Sequence, residues 1–266
     1  TSISTNVIVT ESNSTQLNFY LEEGSAAGNV IFDDNFETNK NWNTTGFWHR
    51  QVNASIQNNA YPDYAELAPD DNSSAYIPQA YEGTYTYWYG QEENGNFIGE
   101  YQSGQELLSG GTSVEQNSGT LTSPLIDLTN ENEASISFFT YWEIESVNPN
   151  AYGYDLMTIE VATEDSPDDF ETLLRLNPFS DPILDDREAL PFSSGGFNKA
   201  PIWVYNNWDI SKYAGQKIYV RFNFETVDNL YNGFRGWFLD DFKVFDVAGE
   251  EVPDFEDNGG ERTIRK

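Results

Sequence analysis

Short segments in which apolar and polar residues alternate recur along most of the chain. Ile136 and Phe138 share one side of such a segment, and Ile218, Val220 and Phe222 share one side of another. A period of two is typical of β-strands with one buried face, whereas amphipathic helical periodicity is scarce. Because Gly, Asn, Asp and Pro bound these segments, the pattern predicts an all-β fold, a jelly-roll β-sandwich of two antiparallel sheets.

The main domain is predicted to cover residues 29–248. We predict core strands at residues 30–32, 46–50, 85–89, 119–123, 134–142, 156–161, 218–224 and 237–244. Residues 54–80 are rich in Asn, Asp, Tyr and Pro, and residues 166–201 contain five prolines. Both stretches are therefore expected to be long surface insertions, where binding functions often reside.

Residues 1–28 form a predicted N-terminal extension that ends in a Gly-Ser-Ala-Ala-Gly joint. Its apolar segments at 6–10 and 16–21 are typical of a hairpin, and Leu17, Phe19 and Leu21 share one face. The same pattern fits an arm that adds a strand to another copy of the chain. Residues 249–266, first acidic and then basic, are expected to be a tail or linker.

The charge excludes some partners. With 13 Lys and Arg against 44 Asp and Glu, the formal net charge is −31. A polyanion is repelled by nucleic-acid phosphates and by anionic membranes, and no apolar run is long enough to span a bilayer. We therefore expect no nucleic-acid partner and no membrane insertion.

Several features favour a secreted or cell-surface location. The chain starts at Thr1 without Met, which we interpret as a trimmed, mature form. Four Asn-x-Ser/Thr triplets are candidate glycosylation sites, at Asn13, Asn43, Asn53 and Asn72. The absence of Cys excludes disulfides and thiolate chemistry, and says little about compartment.

A series of motifs in fixed order carries a resemblance to a known group. They are residues 32–37 (FDDNFE), 46–50 (GFWHR), 87–90 (YWYG), 118–128 (SGTLTSPLIDL), 137–145 (SFFTYWEIE), 155–161 (DLMTIEV), 208–215 (WDISKYAG) and 236–241 (GWFLDD). Together they resemble the MAM-like extracellular jelly rolls, including the choice-of-anchor modules and the sandwich domains appended to immune-inhibitor-A-type secreted proteases. The resemblance covers about residues 30–247 and implies the sandwich fold, but one fold serves many functions.

The resemblance also implies a structural Ca²⁺ ion, clamped between the acidic start of the domain and its last strand. The matching carboxylates are Asp33, Asp34 and Asp241, and possible neighbours are Glu37, Asp155 and Asp240. In a regular strand Asp240 and Asp241 point to opposite faces, and we favour Asp241 as the inward ligand. The alternative is that these acids lie exposed in turns.

Tyrosine and tryptophan side chains are candidates for stacking on sugar rings. The candidates are Tyr76, Tyr81, Tyr87 and Tyr89, together with Tyr85 and Trp88. The alternative is that alternate members of residues 85–89 fill the core. His49 is the lone histidine, and its motif looks structural, so catalysis is not expected.

These observations leave three hypotheses open. The first is a non-catalytic extracellular module that binds a glycan or a protein and is stabilised by calcium. The second is a structural subunit of a filament, sheath or surface layer that assembles through residues 1–28. The third is an accessory domain of a secreted hydrolase.

Overall fold

The chain folds as a β-sandwich of two antiparallel sheets. A computed structural model describes residues 28–52, 55–59, 76–102, 111–145, 154–176, 191–197 and 199–249. The strands are β1 (Val30–Asp34), β2 (Asn43–Thr44), β3 (Trp48–Gln51), β4 (Thr86–Tyr89), β5 (Ser118–Thr122), β6 (Ile126–Asp127), β7 (Ser135–Glu145), β8 (Leu156–Thr163), β9 (Ser166–Arg175), β10 (Pro191–Ser193), β11 (Gly196–Phe197), β12 (Val204–Asp209), β13 (Lys217–Glu225) and β14 (Gly236–Phe245). A short 3-10 helix, Ser211–Tyr213, precedes β13.

The first sheet has eight strands, in the order β11-β10-β7-β14-β4-β3, with β1 beside β14 and β12 beside β7. The second sheet has six strands, in the order β2-β5-β13-β8-β9, with β6 beside β13. Strands far apart in sequence are neighbours in both sheets, as in the predicted jelly roll. The fold class expected from the alternating pattern is therefore confirmed.

The core lies between the two sheets and is rich in aromatic rings. Phe138 on the first sheet meets Phe222 on the second, edge to face, with 5.2 Å between ring centroids. Trp237 also packs edge to face on Phe222, at 5.7 Å. Such pairs add about 0.5–1.5 kcal/mol each to the free energy gained from burial alone. These rings therefore join the two sheets.

Strand β14 contains a bulge that changes which side chains face the core. Its register against β7 shifts between Asp240 and Lys243, and Asp241 has a left-handed φ of 49°. Trp237 and Leu239 face the core before the bulge, and Phe242 follows them there after it. An inserted residue reverses the alternation, so Asp241 does not continue the inward face of Leu239.

All eight predicted core strands are present. The prediction that residues 166–201 lie outside the sandwich strands is wrong for Ser166–Arg175, because β9 pairs with β8, and for Pro191–Ser193, because β10 pairs with β7. β9 is an edge strand with an exposed, acidic first half, so it lacks the alternation that marks a half-buried strand. β12 was not predicted either, and it pairs with β7 along six residues.

Some predictions lie outside the described residues. They include the N-terminal extension, the tail beyond 249, and most of the predicted insertion at 54–80. Within that insertion, Gln57 and Tyr76 form an antiparallel bridge. No helix in the described part of the chain has the length and apolar character needed to cross a membrane.

Candidate functional site

The outer face of the eight-stranded sheet is unusually aromatic. Alternation along β7 sends Phe138 and Trp142 into the core and leaves Phe139, Tyr141 and Glu143 on the outside. Neighbouring strands add further rings to the same outer face. This face therefore carries apolar side chains that the inter-sheet core does not use.

One row of rings crosses the outer face from β3 to the start of β12. It is formed by His49, Trp88, Phe238, Tyr141 and Trp203, with successive centroids 5.3, 5.3, 5.6 and 5.6 Å apart. Ile56 and Ile77 pack against this row, and Trp88 and Phe238 are completely buried. The row therefore forms a second small core under the segments 55–59 and 76–80.

A second group of rings, which shares Trp203 with this row, is partly exposed. We call Tyr81, Phe139, Trp203 and Tyr205 the tyrosine platform. Tyr81 stacks on Phe139 with 3.5 Å between centroids and 14° between planes, and Tyr205 lies 5.2 Å from Phe139. Trp203 meets Tyr81 edge to face at 6.1 Å. Tyr81 is 45% exposed and Tyr205 is 46% exposed, so the platform presents two tyrosine rings to solvent.

Two carboxylates hold the turn that carries Tyr81. Glu37 accepts hydrogen bonds from the backbone N–H groups of Thr84 (2.7 Å) and Tyr85 (2.8 Å), and Asp240 accepts one from Glu82 N–H (3.1 Å). The backbone donors lower the pKa of Glu37, whereas burial raises the pKa of Asp240 to about 7. The position of Tyr81 therefore depends on carboxyl groups from β14 and from the segment after β1.

A depression of about 270 Å³ borders the same turn. Every residue lining it has an uncharged side chain or none: Gln51, Val52, Ser55, Pro78, Gln79, Ala80, Gly83, Thr84 and Thr86. Trp203 of the platform donates its indole N–H to the backbone carbonyl of Gln79 at 3.2 Å. The depression and the platform are therefore linked through a shared hydrogen bond.

A buried ion pair stabilises this face of the sheet. Arg235 donates to Glu143 from Nε (2.8 Å) and from Nη2 (2.9 Å), and their side chains are 1% and 0% exposed. The Arg235 carbonyl accepts the indole N–H of Trp88, and its Nη1 donates to the Tyr76 carbonyl. The pair thus joins the sheet to the segment that covers it. Sequence reasoning missed this pairing, because the two residues are 92 positions apart.

The structure divides the predicted sugar-stacking tyrosines into two groups. Tyr76 and Tyr81 are exposed on the outer face, at 43% and 45%. Tyr87 and Tyr89 are 5% and 0% exposed and belong to the inter-sheet core, so their prediction as ligand-binding residues is wrong. Strand alternation explains the division, because odd-numbered positions of β4 face inward and Trp88 faces outward.

The first three predicted calcium ligands already have partners within the chain. Asp33 lies near Lys40, with 3.8 Å between Nζ and Oδ1. Asp34 accepts hydrogen bonds from Phe36 N–H and from the Trp42 indole, and burial raises the pKa of Asp34. Asp241 forms an ion pair with Lys243 at 2.7 Å.

The other three predicted neighbours lie in separate surroundings. Glu37 and Asp240 hold the Tyr81 turn, whereas Asp155 is completely buried. Burial and the nearby charge of Asp228 raise the pKa of Asp155 well above its ordinary value. Burial and the charges of Asp155 and Asp228 raise the pKa of Glu145 in the same way. In the described residues, no group of three or more His, Asp or Glu side chains is arranged to hold a metal ion.

Of the remaining predicted sites, the structure describes Asn43 and His49. Asn43 is exposed on β2, as a glycosylated asparagine must be, and Asn13, Asn53 and Asn72 lie outside the described residues. His49 is half-buried against Trp88, and its Nδ1 lies 2.9 Å from the Phe47 carbonyl. Its ring therefore packs as part of the buried aromatic row.

Comparisons with known proteins add solved structures of low similarity. No family model matches the chain, and no curated protein matches it. The K1 cleaved adhesin domain of Lys-gingipain from Porphyromonas gingivalis W83 is 15% identical, with 80% of this chain and 96% of that chain covered and a TM-score of 0.42. The CBM22-1 xylan-binding domain of Paenibacillus barcinonensis Xyn10C is 15% identical, with 84% and 97% covered and a TM-score of 0.35. TmCBM61, solved with β-1,4-galactotriose, is 13% identical, with 78% and 89% covered and a TM-score of 0.35.

Proposed function

We propose that this chain is a non-catalytic, extracellular binding module that recognises a glycan on the outer face of its eight-stranded sheet. The observation that carries the proposal is the tyrosine platform, where two tyrosines about 45% exposed surround a partly buried phenylalanine. Sugar rings have apolar faces that pack on aromatic rings, while their hydroxyl groups need hydrogen-bonding partners at the edge. The depression beside the platform offers such partners through amide and hydroxyl side chains.

Affinity electrophoresis in gels that contain neutral polysaccharides tests the proposal. The wild-type chain should be retarded by at least one of them, and Tyr205→Ala should lose most of this retardation. Tyr219→Ala is the matched control, because Tyr219 is a partly exposed tyrosine on β13 of the opposite sheet. Retardation reduced equally by both substitutions would exclude the platform as the binding site.

We also propose that Ca²⁺ stabilises the folded chain. The net charge of −31 and the buried carboxylates support this proposal, because self-repulsion destabilises a compact state until counter-ions gather. The six predicted ligands are not clustered, so an ion there would have to replace their present partners. Addition of calcium at 100 times its Kd should stabilise the fold by about 2.7 kcal/mol. An unchanged melting temperature in calcium and in chelator would refute the proposal.

The MAM-like resemblance and the other two hypotheses stay predictions. Assembly through strand donation depends on residues 1–28, which lie outside the described residues. A role as an accessory domain of a hydrolase depends on sequence beyond this chain. Light scattering before and after deletion of residues 1–28 would test the assembly hypothesis, which requires that the deletion abolish polymers.

A further inference from the structure

We propose that the site selects uncharged glycans and rejects glycans that carry carboxylate or sulfate groups. This inference rests on the proposed function and adds the chemical class of the ligand. The carrying observation is the depression beside the tyrosine platform, whose lining side chains are all uncharged. Exposed side chains such as the amide of Gln79 and the hydroxyl of Thr84 both donate and accept hydrogen bonds. Sugar hydroxyl groups need this combination, whereas an anionic substituent needs a cation.

Among the described residues, two cations on this face, Arg235 and Lys243, are already paired with carboxylates, and Arg50 beside Gln51 donates to the backbone carbonyls of Phe36 and Glu37. Arg235 is buried and forms its bidentate pair with Glu143. Lys243 is on the outer face because Phe242 and Val244 on either side of it face the core, and its Nζ lies 2.7 Å from Asp241. An anionic ligand would have to compete with these carboxylates. The displaced carboxylate would then lose its partner, which is costly for the buried Glu143.

The field of the whole molecule acts in the same direction. The net charge is −31, and Glu82, next to Tyr81 in the sequence, is exposed. Repulsion of this kind is screened over about 10 Å at 0.1 M salt and over a shorter distance at higher salt. Rejection of anionic glycans should therefore weaken as salt is added, whereas stacking of a neutral sugar on tyrosine should change little.

Pairs of polysaccharides that share a sugar backbone and differ in charge test the inference. Each neutral polysaccharide of the electrophoresis panel is compared with its own carboxymethylated derivative, at low salt and at 0.5 M salt. We expect the derivative to bind about tenfold more weakly at low salt, with a smaller difference at high salt. Equal or tighter binding of the derivative at low salt would overturn the inference and leave the proposed function standing. Failure to bind either form would overturn both.

Two variants at one exposed position give a second readout. Gln79 lines the depression with an exposed side chain, so Gln79→Lys and Gln79→Glu should both fold. The measured quantity is the ratio of affinities for the carboxymethylated and neutral forms. Gln79→Lys should raise this ratio several-fold, and Gln79→Glu should lower it. An identical ratio in both variants would contradict the assignment of the depression as the site that discriminates between charged and uncharged glycans.

Discussion

The buried pair of Glu143 and Arg235 permits a sharp prediction about stability. Both side chains are almost completely buried, and two N–H···O bonds of 2.8 and 2.9 Å join them. Glu143→Leu would leave the guanidinium charge in a site that water does not reach. Removal of one partner of a buried pair costs about 3–5 kcal/mol, a large part of a typical folding free energy of about 5–15 kcal/mol. Loss of the Arg235 contact to the Tyr76 carbonyl would also loosen the segment over the outer face.

Urea unfolding followed by tryptophan fluorescence measures this effect. With a urea m-value of about 3 kcal/mol/M, the midpoint should fall by about 1–2 M. Glu143→Leu combined with Arg235→Met should cost less than the two single substitutions together, because no isolated charge remains buried. Some cost remains, because the backbone N–H of Arg235 also donates to Glu143.

An exposed ion pair provides the control. Lys212 and Glu171 lie 2.9 Å apart, with side chains 48% and 65% exposed. Glu171→Gln should therefore cost about 1 kcal/mol or less. If Glu143→Leu costs no more than Glu171→Gln, or if the effects of the double variant are simply additive, the buried pair does not support the sheet as described.

Two further predictions concern β14. Burial raises the pKa of Asp240 to about 7. Below pH 3.8 it is protonated in both the folded and unfolded chain; as pH rises to about 7 the unfolded chain ionises first, so stability falls, and the loss is complete above pH 7. In the presence of chelator, the free energy of unfolding of Asp240→Asn should fall with rising pH by on the order of a few kcal/mol less than that of the wild type. Parallel pH profiles of the two proteins, measured by urea titration, would contradict this prediction. The second prediction concerns Gly236, which has a φ of 83° and where an added Cβ would lie 2.2 Å from the Tyr89 carbonyl oxygen. Gly236→Ala should therefore reduce the free energy of unfolding by about 2 kcal/mol or more and lower the melting temperature by several degrees. Gly215→Ala is its control, since φ is also positive there but nothing lies within 4 Å, and an equal loss in both variants would exclude the close approach as the cause.

Strand alternation was sufficient to predict most of the fold. β13 alternates buried and partly exposed residues, so its period of two is visible in the sequence. β7 and β14 are buried along almost their whole length, and their apolar and aromatic residues mark them as strands. β9 was missed because an edge strand with both faces largely exposed at its start shows no such period. The bulge after Asp240 was also missed, because an Asp-Asp pair does not reveal that the second residue has a left-handed φ.

The candidate site was less predictable than the fold. Tyr81 was identified as a candidate, but Phe139 and Tyr205 were not, because they meet only after β12 pairs with β7. Tyr87 and Tyr89 have the same residue type as Tyr81 and a similar local composition. Only the pairing of β4 within the sheet decides that their rings face the core.

Titration calorimetry with a soluble oligosaccharide of the retarding neutral polysaccharide tests the central claim most directly. The key variant is Tyr81→Ala combined with Tyr205→Ala, because Tyr81→Ala alone would uncover the ring of Phe139 as a substitute. Loss of both rings, at about 0.5–1.5 kcal/mol per ring, should weaken binding by a factor between about 5 and about 150, while Tyr219→Ala binds like the wild type. Wild-type affinity in the double variant would contradict glycan recognition by the tyrosine platform.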